Sequence, residues 1–341
     1  MKILVTGAAG FIGFSITKRL LEARHEVVGL DTVNSYYDTR LKYARLETLG
    51  ICQADIRDGK LIPSATTRLF RFVKMDLTDR IGLAGLFENE GFDCVINLAG
   101  QAGVRYSIEN PYAYVESNVI GFLNILENCR NHPVHHLVYA SSSSVYGEAV
   151  SAPFTESMPT DKPVSLYAAT KKSDELMAYA YSKLYGIPAT ALRFFTVYGP
   201  WGRPDMAPYI FMKSILEGKT INVFNHGRLS RDFTYIDDIT SAMMLVLDNP
   251  PADGVRHKVY NIGHSSPVML LDFIAAIENV TGLKAIKHFI DMQPGDVHST
   301  YADTSRLEHD LSFRPSVSVK DGISRFYDWY MSYNNRRSEY K

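Results

Sequence analysis

Short apolar runs recur along the first three-quarters of the chain, and segments with helical spacing fall between them. The runs that read as strands are Lys2–Thr6, Glu26–Asp31, Leu69–Asp76, Cys94–Ala99, His136–Ser141, Ala189–Phe195 and Val259–Gly263. Several hold almost no polar residue, as strands covered on both faces should. Helical periodicity covers Phe14–Ala23, Tyr112–Cys129 and Leu166–Tyr185. This alternation predicts an α/β fold, a doubly wound parallel sheet of the Rossmann type with right-handed crossovers.

Two stretches break the rhythm. Tyr37–Thr67 is a polar excursion between the second and third strands, expected to form a helix and loop at the rim, and its residues suggest no function. Thr196–Arg231, and everything after Gly263, carry shorter elements in looser order. The expected division is a larger domain from residues 1–195 and 232–262, and a smaller discontinuous α/β lobe from 196–231 and 263–341.

Composition narrows the function classes. The 36 basic and 37 acidic residues leave a net charge of −1, and no Lys/Arg stripe appears, which argues against nucleic-acid binding. Cys52, Cys94 and Cys129 lie far apart without metal or redox spacing, so reduced thiols, a cytoplasmic location and no metal site are expected. The pair His135-His136 reads as the start of a strand rather than as ligands. No run approaches the ~18 apolar residues of a membrane helix, and the chain opens directly into a strand without a signal-peptide pattern.

Candidate chemistry begins at "ILVTGAAGFIG", which places Gly7, Gly10 and Gly13 between a strand and a helix. Glycines there permit a tight turn and close approach of backbone to a pyrophosphate, which the helix N-terminus then attracts. Phe11 and Ile12 belong to the same turn. Asp31 ends the second strand 18 residues after Gly13. A carboxylate there accepts both hydroxyls of an adenosine ribose and repels a 2′-phosphate, which favours NAD over NADP. Asn34 just beyond it, Asp76 and Leu77 at the end of the third strand, and Asn97 and Ala99 at the end of the fourth complete the expected cofactor site.

The fifth strand stops in "ASSSSVYG", and "VSLYAATKKSDELM" follows, with Tyr167 and Lys171 four apart on one helix face. A tyrosine with a free pKa of ~10 becomes a base when a neighbouring ammonium and a cationic nicotinamide stabilise its phenolate. A hydroxyl from the serine run would bind the same reacting oxygen. Tyr179/Lys183 and Tyr209/Lys213 share the spacing, so position must decide. Tyr179 lies ~18 Å further down the same helix, and Tyr209 follows no serine-rich strand end. Tyr167 and Lys171 are therefore the candidate catalytic pair.

On "TGAAGFIG", the strand-end serines and "YAATK", the chain resembles the extended short-chain dehydrogenase/reductase family over nearly its whole length. That family uses the spacing G-x-x-G-x-x-G found here. The resemblance implies that Ser142, 25 residues before Tyr167, hydrogen-bonds a sugar hydroxyl, with Ser143 and Ser144 as alternatives. "SSSSVYG" points to the epimerases, because the sugar-nucleotide dehydratases of the family carry an acidic pair near Ser143 that this chain lacks. The resemblance also implies that Arg231 in "RDFTYIDD", with Gln293, Asp296 and Thr300 in "QPGDVHSTYAD", hold the diphosphate, ribose and uracil of a UDP-sugar. A homodimer through Tyr112–Cys129 and Leu166–Tyr185 is implied as well.

"TVYGPWGRPDMAP" is similar to the UDP-glucuronate 4-epimerase branch, in which Thr196 and Arg203 match the residues that hold the sugar carboxylate. The expected reaction is interconversion of UDP-glucuronate and UDP-galacturonate through a transient 4-ketosugar, with bound NAD recycled. The alternatives are a UDP-glucuronate decarboxylase, a UDP-glucose or UDP-N-acetylhexosamine 4-epimerase and, more remotely, a non-catalytic NAD sensor or scaffold. One departure is visible: Asn97 and Gly100 stand where related epimerases usually have His and Ala.

Overall fold

The computed structural model describes residues 1–147, 151–293 and 295–338, with backbone alone for 336–338. In chain order the first seven strands are β1 (Lys2–Thr6), β2 (Glu26–Asp31), β3 (Leu61–Pro63), β4 (Phe70–Lys74), β5 (Cys94–Asn97), β6 (His136–Ser142) and β7 (Ala189–Phe194). Short strands β8 (Thr196–Tyr198), β9 (Thr220–Val223), β10 (Ser230–Arg231) and β11 (Phe233–Tyr235) lead to β12 (His257–Ile262), and β13 (Val268–Met269) and β14 (Ile286–Phe289) follow.

Eight strands form one sheet in the order β12-β7-β6-β5-β1-β2-β4-β3. β1 pairs in parallel with β2 and β5, β2 with β4, and β5 with β6. From β1 the chain moves outward through β2 to β4, then returns to β5 on the other side of β1. That reversal is the switch point at which α/β sheets bind ligands, beyond the carboxyl ends of the strands.

Among the described residues the chain divides into two compact units, 1–147 with 156–193 and 240–260, and 151–155 with 194–239 and 261–338. Residues 232–239, grouped with the larger domain by pattern alone, pack in the second unit. In the first unit Leu4, Val95, Leu137, Phe122, Ile125 and Ala178 contribute to a core from which water is excluded. In the second, Phe233 stacks on Phe273 with ring centroids 3.9 Å apart, and Tyr198 meets both edge-on.

Three elements differ from the pattern. The excursion forms a helix, Thr39–Thr48, and then β3, which pairs antiparallel with β4. Three residues are too few to show period-2 alternation, and Pro63 is tolerated because β3 is the last strand of the sheet. The helix expected over Tyr112–Cys129 is a composite: Pro111–Tyr114, a π-helical stretch Val115–Ile120, and Gly121–Asn131. Leu166–Tyr185 is one continuous helix as expected; Ser165 caps it by accepting from Ala168 N at 3.1 Å, and Gly186 ends it at φ 70°.

Candidate active site

The glycine loop joins β1 to the helix Phe11–Glu22. Gly7 has φ 71°, and a Cβ there would lie 2.8 Å from Ala99 N at the end of β5. A Cβ on Gly13 would sit 2.0 Å from Gly7 O, so neither position admits a side chain. Gly10 N donates to Gly7 O at 2.8 Å and closes the turn. Phe11, Ile12 and Gly13 form the first helical turn, which contains no acidic residue to oppose a phosphate. The cradle fits a dinucleotide pyrophosphate.

Asp31 is buried and oriented by backbone: Ala9 N donates to Oδ2 at 3.1 Å and Val33 N to Oδ1 at 2.7 Å. The excursion helix closes over this end, a role the sequence reading did not find. Lys42 places Nζ 3.7 Å from Asp31 Oδ1 and donates to Asn34 Oδ1 at 2.8 Å. Arg45 is fully buried and donates to the Ala9 carbonyl and to the Tyr37 hydroxyl, each at 2.8 Å. The signal was present in the spacing. Lys42 and Arg45 are three apart and flanked by Leu41 and Leu46, so two cations lie on the buried face of the helix.

At the end of β5 the Thr6 hydroxyl organises the backbone, donating to Asn97 Oδ1 at 2.6 Å and accepting from Leu98 N and Ala99 N at 3.1 Å. Gly100 lies against Asn118, where a Cβ would stand 2.8 Å from Asn118 Oδ1. That oxygen accepts from Gln101 N at 2.7 Å, and Asn118 Nδ2 donates to the Gln101 carbonyl and the Thr170 hydroxyl, each at 3.0 Å. Glycine at 100 is thus what Asn118 leaves room for. Asp76 turns its carboxylate onto Thr78, and Leu77 is buried beneath Gly121, with its carbonyl accepting from Asn124.

The candidate catalytic residues gather at the end of β6 and the start of the helix Leu166–Tyr185. Ser142 Oγ accepts from Ser144 N at 3.2 Å and Ser144 Oγ at 2.8 Å, so its own proton is left to donate outward. Ser143 opens the short turn that follows. Tyr167 lies in the first helical turn, its ring edge-on to Tyr114 at 5.9 Å. Lys171 is buried, and its ammonium donates to the Ala140 carbonyl at 3.1 Å and to Asp174 at 3.0 Å. Beneath them Arg193 grips Glu175 with two parallel bonds of 2.8 Å, and Ser141 donates to the same carboxylate at 2.7 Å. Burial alone would raise the Glu175 carboxyl, yet Arg193 and Ser141 hold it below its ordinary value. Glu175 thus ties the helix carrying the tyrosine to β7 through Arg193, and to the strand carrying the serines through Ser141.

The remaining candidates belong to the second unit. Thr196 opens β8, and its amide donates to Asp232 O at 3.1 Å. Arg203 sits in a loop pinned by Trp201, whose φ is 66° and whose ring packs against Trp329 and Tyr333 at 5.3 and 5.4 Å. A left-handed tryptophan costs ~1–2 kcal/mol, which aromatic packing of this extent can offset. Arg203 bonds Asp205 through Nε at 3.1 Å and Nη2 at 2.5 Å, the planar, bidentate geometry suited to a carboxylate. Arg231 pairs with Asp296 at 2.6 Å and also donates to the Ser230 and His298 carbonyls. Asp296 N donates to the Gln293 carbonyl at 3.2 Å, while Gln293 Oε1 is buried with no partner among the described residues. Arg231, Gln293 and Asp296 are therefore neighbours. Thr300 has a supporting part, its hydroxyl accepting from Asp232 N at 3.1 Å.

Known proteins resemble this chain over most of its length. The family model described as NAD dependent epimerase/dehydratase family matches residues 3–263. A probable UDP-glucuronate 4-epimerase of Rhizobium meliloti (strain 1021) is 42% identical, covering 99% of each chain. UDP-glucuronate 4-epimerase 4 of Arabidopsis thaliana is 44% identical over 97% of this chain and 75% of its own. Among solved structures, the UDP-glucuronic acid 4-epimerase from Bacillus cereus, in complex with UDP-glucuronic acid and NAD, superposes with a TM-score of 0.87. It is 34% identical, with 98% of this chain and 100% of that one covered. By its motifs, its sheet order and these matches, the chain belongs to the NAD dependent epimerase/dehydratase family.

Proposed function

We propose that this protein is a UDP-glucuronate 4-epimerase that interconverts UDP-glucuronate and UDP-galacturonate. The observation that carries the reading is end-to-end similarity to the Bacillus cereus enzyme with both UDP-glucuronic acid and NAD bound. The chain's own residues fit the chemistry. Ser142 donates its free proton to the C4 oxygen, and Tyr167 removes the C4 hydroxyl proton at its phenol oxygen. The Lys171 ammonium stabilises the phenolate that makes this possible. NAD+, held by the glycine loop and Asp31, would supply reversible hydride acceptance from C4, with no net redox change. Tyr167 then gives its proton back to the epimeric oxygen.

The 4-ketosugar of a glucuronate is a β-keto acid and loses CO2 when the breaking bond aligns with the carbonyl π system. Thr196 and Arg203 are assigned to hold the carboxylate away from that alignment. Arg231, Gln293 and Asp296 are assigned to UDP, so that the nucleotide stays fixed while the sugar turns. Gly7, Gly10, Gly13 and Asp31 are assigned to the cofactor.

A homodimer through the helices of the first unit is part of the reading. Tyr112, Leu176, Tyr179 and Leu184 expose large apolar surface on Pro111–Asn131 and Leu166–Tyr185. A cytoplasmic location accords with the reduced thiols; among the described residues no helix is long and apolar enough to cross a membrane.

The test is a product assay with UDP-glucuronate and NAD+, separating sugar nucleotides by chromatography while following reduced nicotinamide. UDP-galacturonate without accumulating NADH is the expected result. A UDP-pentose with CO2 would move the protein to the decarboxylases, and turnover of UDP-glucose alone would leave Arg203 without a substrate partner.

A further inference from the structure

Lys171 shares its charge with a residue that the reaction does not require. Asp174 lies one turn along the same helix, its Oδ2 3.0 Å from the Lys171 ammonium. Both side chains are buried, Asp174 to about 1% exposure. Asp174 Oδ1 has no hydrogen-bond partner among the described residues. A buried carboxylate with one oxygen unanswered is a costly way to anchor a lysine; an amide or carbonyl would hold the ammonium without adding a second buried charge. What a carboxylate adds is a charge that can change.

The surroundings leave that change to Asp174. Glu175, next on the helix, is locked to Arg193 from β7 and Lys172 from its own turn. Tyr139 from β6 is buried with its phenol well above the ordinary range, and hence neutral. His257 from β12 shares a hydrogen bond of 2.9 Å with the Tyr139 hydroxyl and is pushed down to about 4 by burial, so it too is neutral. Burial pushes the Asp174 carboxyl up to about 7 against the pull of Lys171. Among these groups it is the one that titrates near neutrality.

We propose that Asp174 is a positioning residue that sets how much of the Lys171 charge reaches the Tyr167 oxygen. Ionised, it cancels part of the ammonium field, and Tyr167 keeps its proton to higher pH. Protonated, it leaves Lys171 its full charge and favours the phenolate. A fall in pH that begins to protonate Tyr167 therefore also neutralises Asp174, and the second event opposes the first. The enzyme's acid limb is broadened, and activity persists to lower pH than a fixed carboxylate would allow. Only protons move, and the inference rests on the assignment of Tyr167 as base.

The experiment compares pH profiles of kcat and kcat/KM for wild type and Asp174→Asn at saturating NAD. The variant is expected to show a single-proton acid limb displaced downward by about half a unit or more, with little change in KM. Superimposable profiles from a folded variant that binds NAD would overturn the proposal. Asp174→Ser removes the same charge and must shift the limb in the same direction if the asparagine form does not fold. Asp174→Glu should restore a broad limb, and a single-proton limb there would count against the proposal. Tyr167→Phe separates the two layers: full activity in it would sink the base assignment itself, whatever Asp174 does.

Discussion

At the scale of single residues, Arg203 and Gly100 make the sharpest demands. The Arg203 guanidinium is held flat by Asp205 within a loop whose backbone is pinned by Trp201. Lysine would keep the charge but lose the paired N–H bonds. Arg203→Lys is expected to lower kcat/KM for UDP-glucuronate by about ten- to a hundredfold, the value of one or two charge-assisted bonds. A pentose by-product should rise as the carboxylate loosens. Unchanged product purity by chromatography would contradict the assignment. Gly100 tests the departure from related epimerases. The added methyl of Gly100→Ala meets Asn118 Oδ1 at 2.8 Å, an atom already committed to Gln101 N. It should destabilise the protein by ~1–2 kcal/mol in urea unfolding, and weaken NAD binding as the loop after β5 shifts.

At the scale of elements, the helix Thr39–Thr48 is the informative case. Its helix signal was readable, but its purpose depends on where it docks. It brings Lys42 to Asp31 and sends Arg45 to the carbonyl of Ala9 in the glycine loop. Arg45→Met keeps the apolar stem and removes the bonds. The expected result by calorimetry is NAD affinity reduced about tenfold, the worth of one hydrogen bond from a charged donor. At saturating NAD the KM for UDP-glucuronate should not move. An unchanged NAD affinity would show that the glycine loop holds its shape without this helix. The contrast with Leu166–Tyr185 is instructive: that helix keeps regular spacing from its Ser165 cap to Gly186. Pro111–Asn131 instead takes in a π-helical stretch, Val115–Ile120, just before Gly121 packs against Leu77.

At the scale of the molecule, the buried His136 and the partly buried His257 predict how stability responds to acid. His136 opens β6, accepts from the Thr190 hydroxyl at 2.8 Å and faces the Leu247 carbonyl at 3.2 Å, so its Nδ1 carries the proton. Burial pushes His136 and His257 down from 6.5 to about 4. The unfolded chain binds these protons first. Stability from each is therefore complete above pH 6.5 and is lost as pH falls through the window to 4. The loss per histidine is on the order of 3 kcal/mol at its limit. Thermal unfolding followed by circular dichroism should show Tm falling steeply across that window, and less steeply in His257→Gln. Parallel curves for the two proteins would exclude the histidine as a cause.

Local chemistry made much of this legible in one dimension. The apolar runs of β1, β2, β5 and β6 declare a buried parallel sheet because strands covered on both faces have no room for polar side chains. Gly7 and Gly13 declare a phosphate loop because a side chain at either would collide with backbone. Tyr167 and Lys171 lie on one helix face by spacing alone. What no pattern could supply is long-range partnership: Arg45 reaching Ala9, Asn118 filling the space beside Gly100, and Glu175 joined to Arg193. These pairs are far apart in the chain and their residue types are individually commonplace, so only the folded packing, which decides which buried charge meets which donor, could select them.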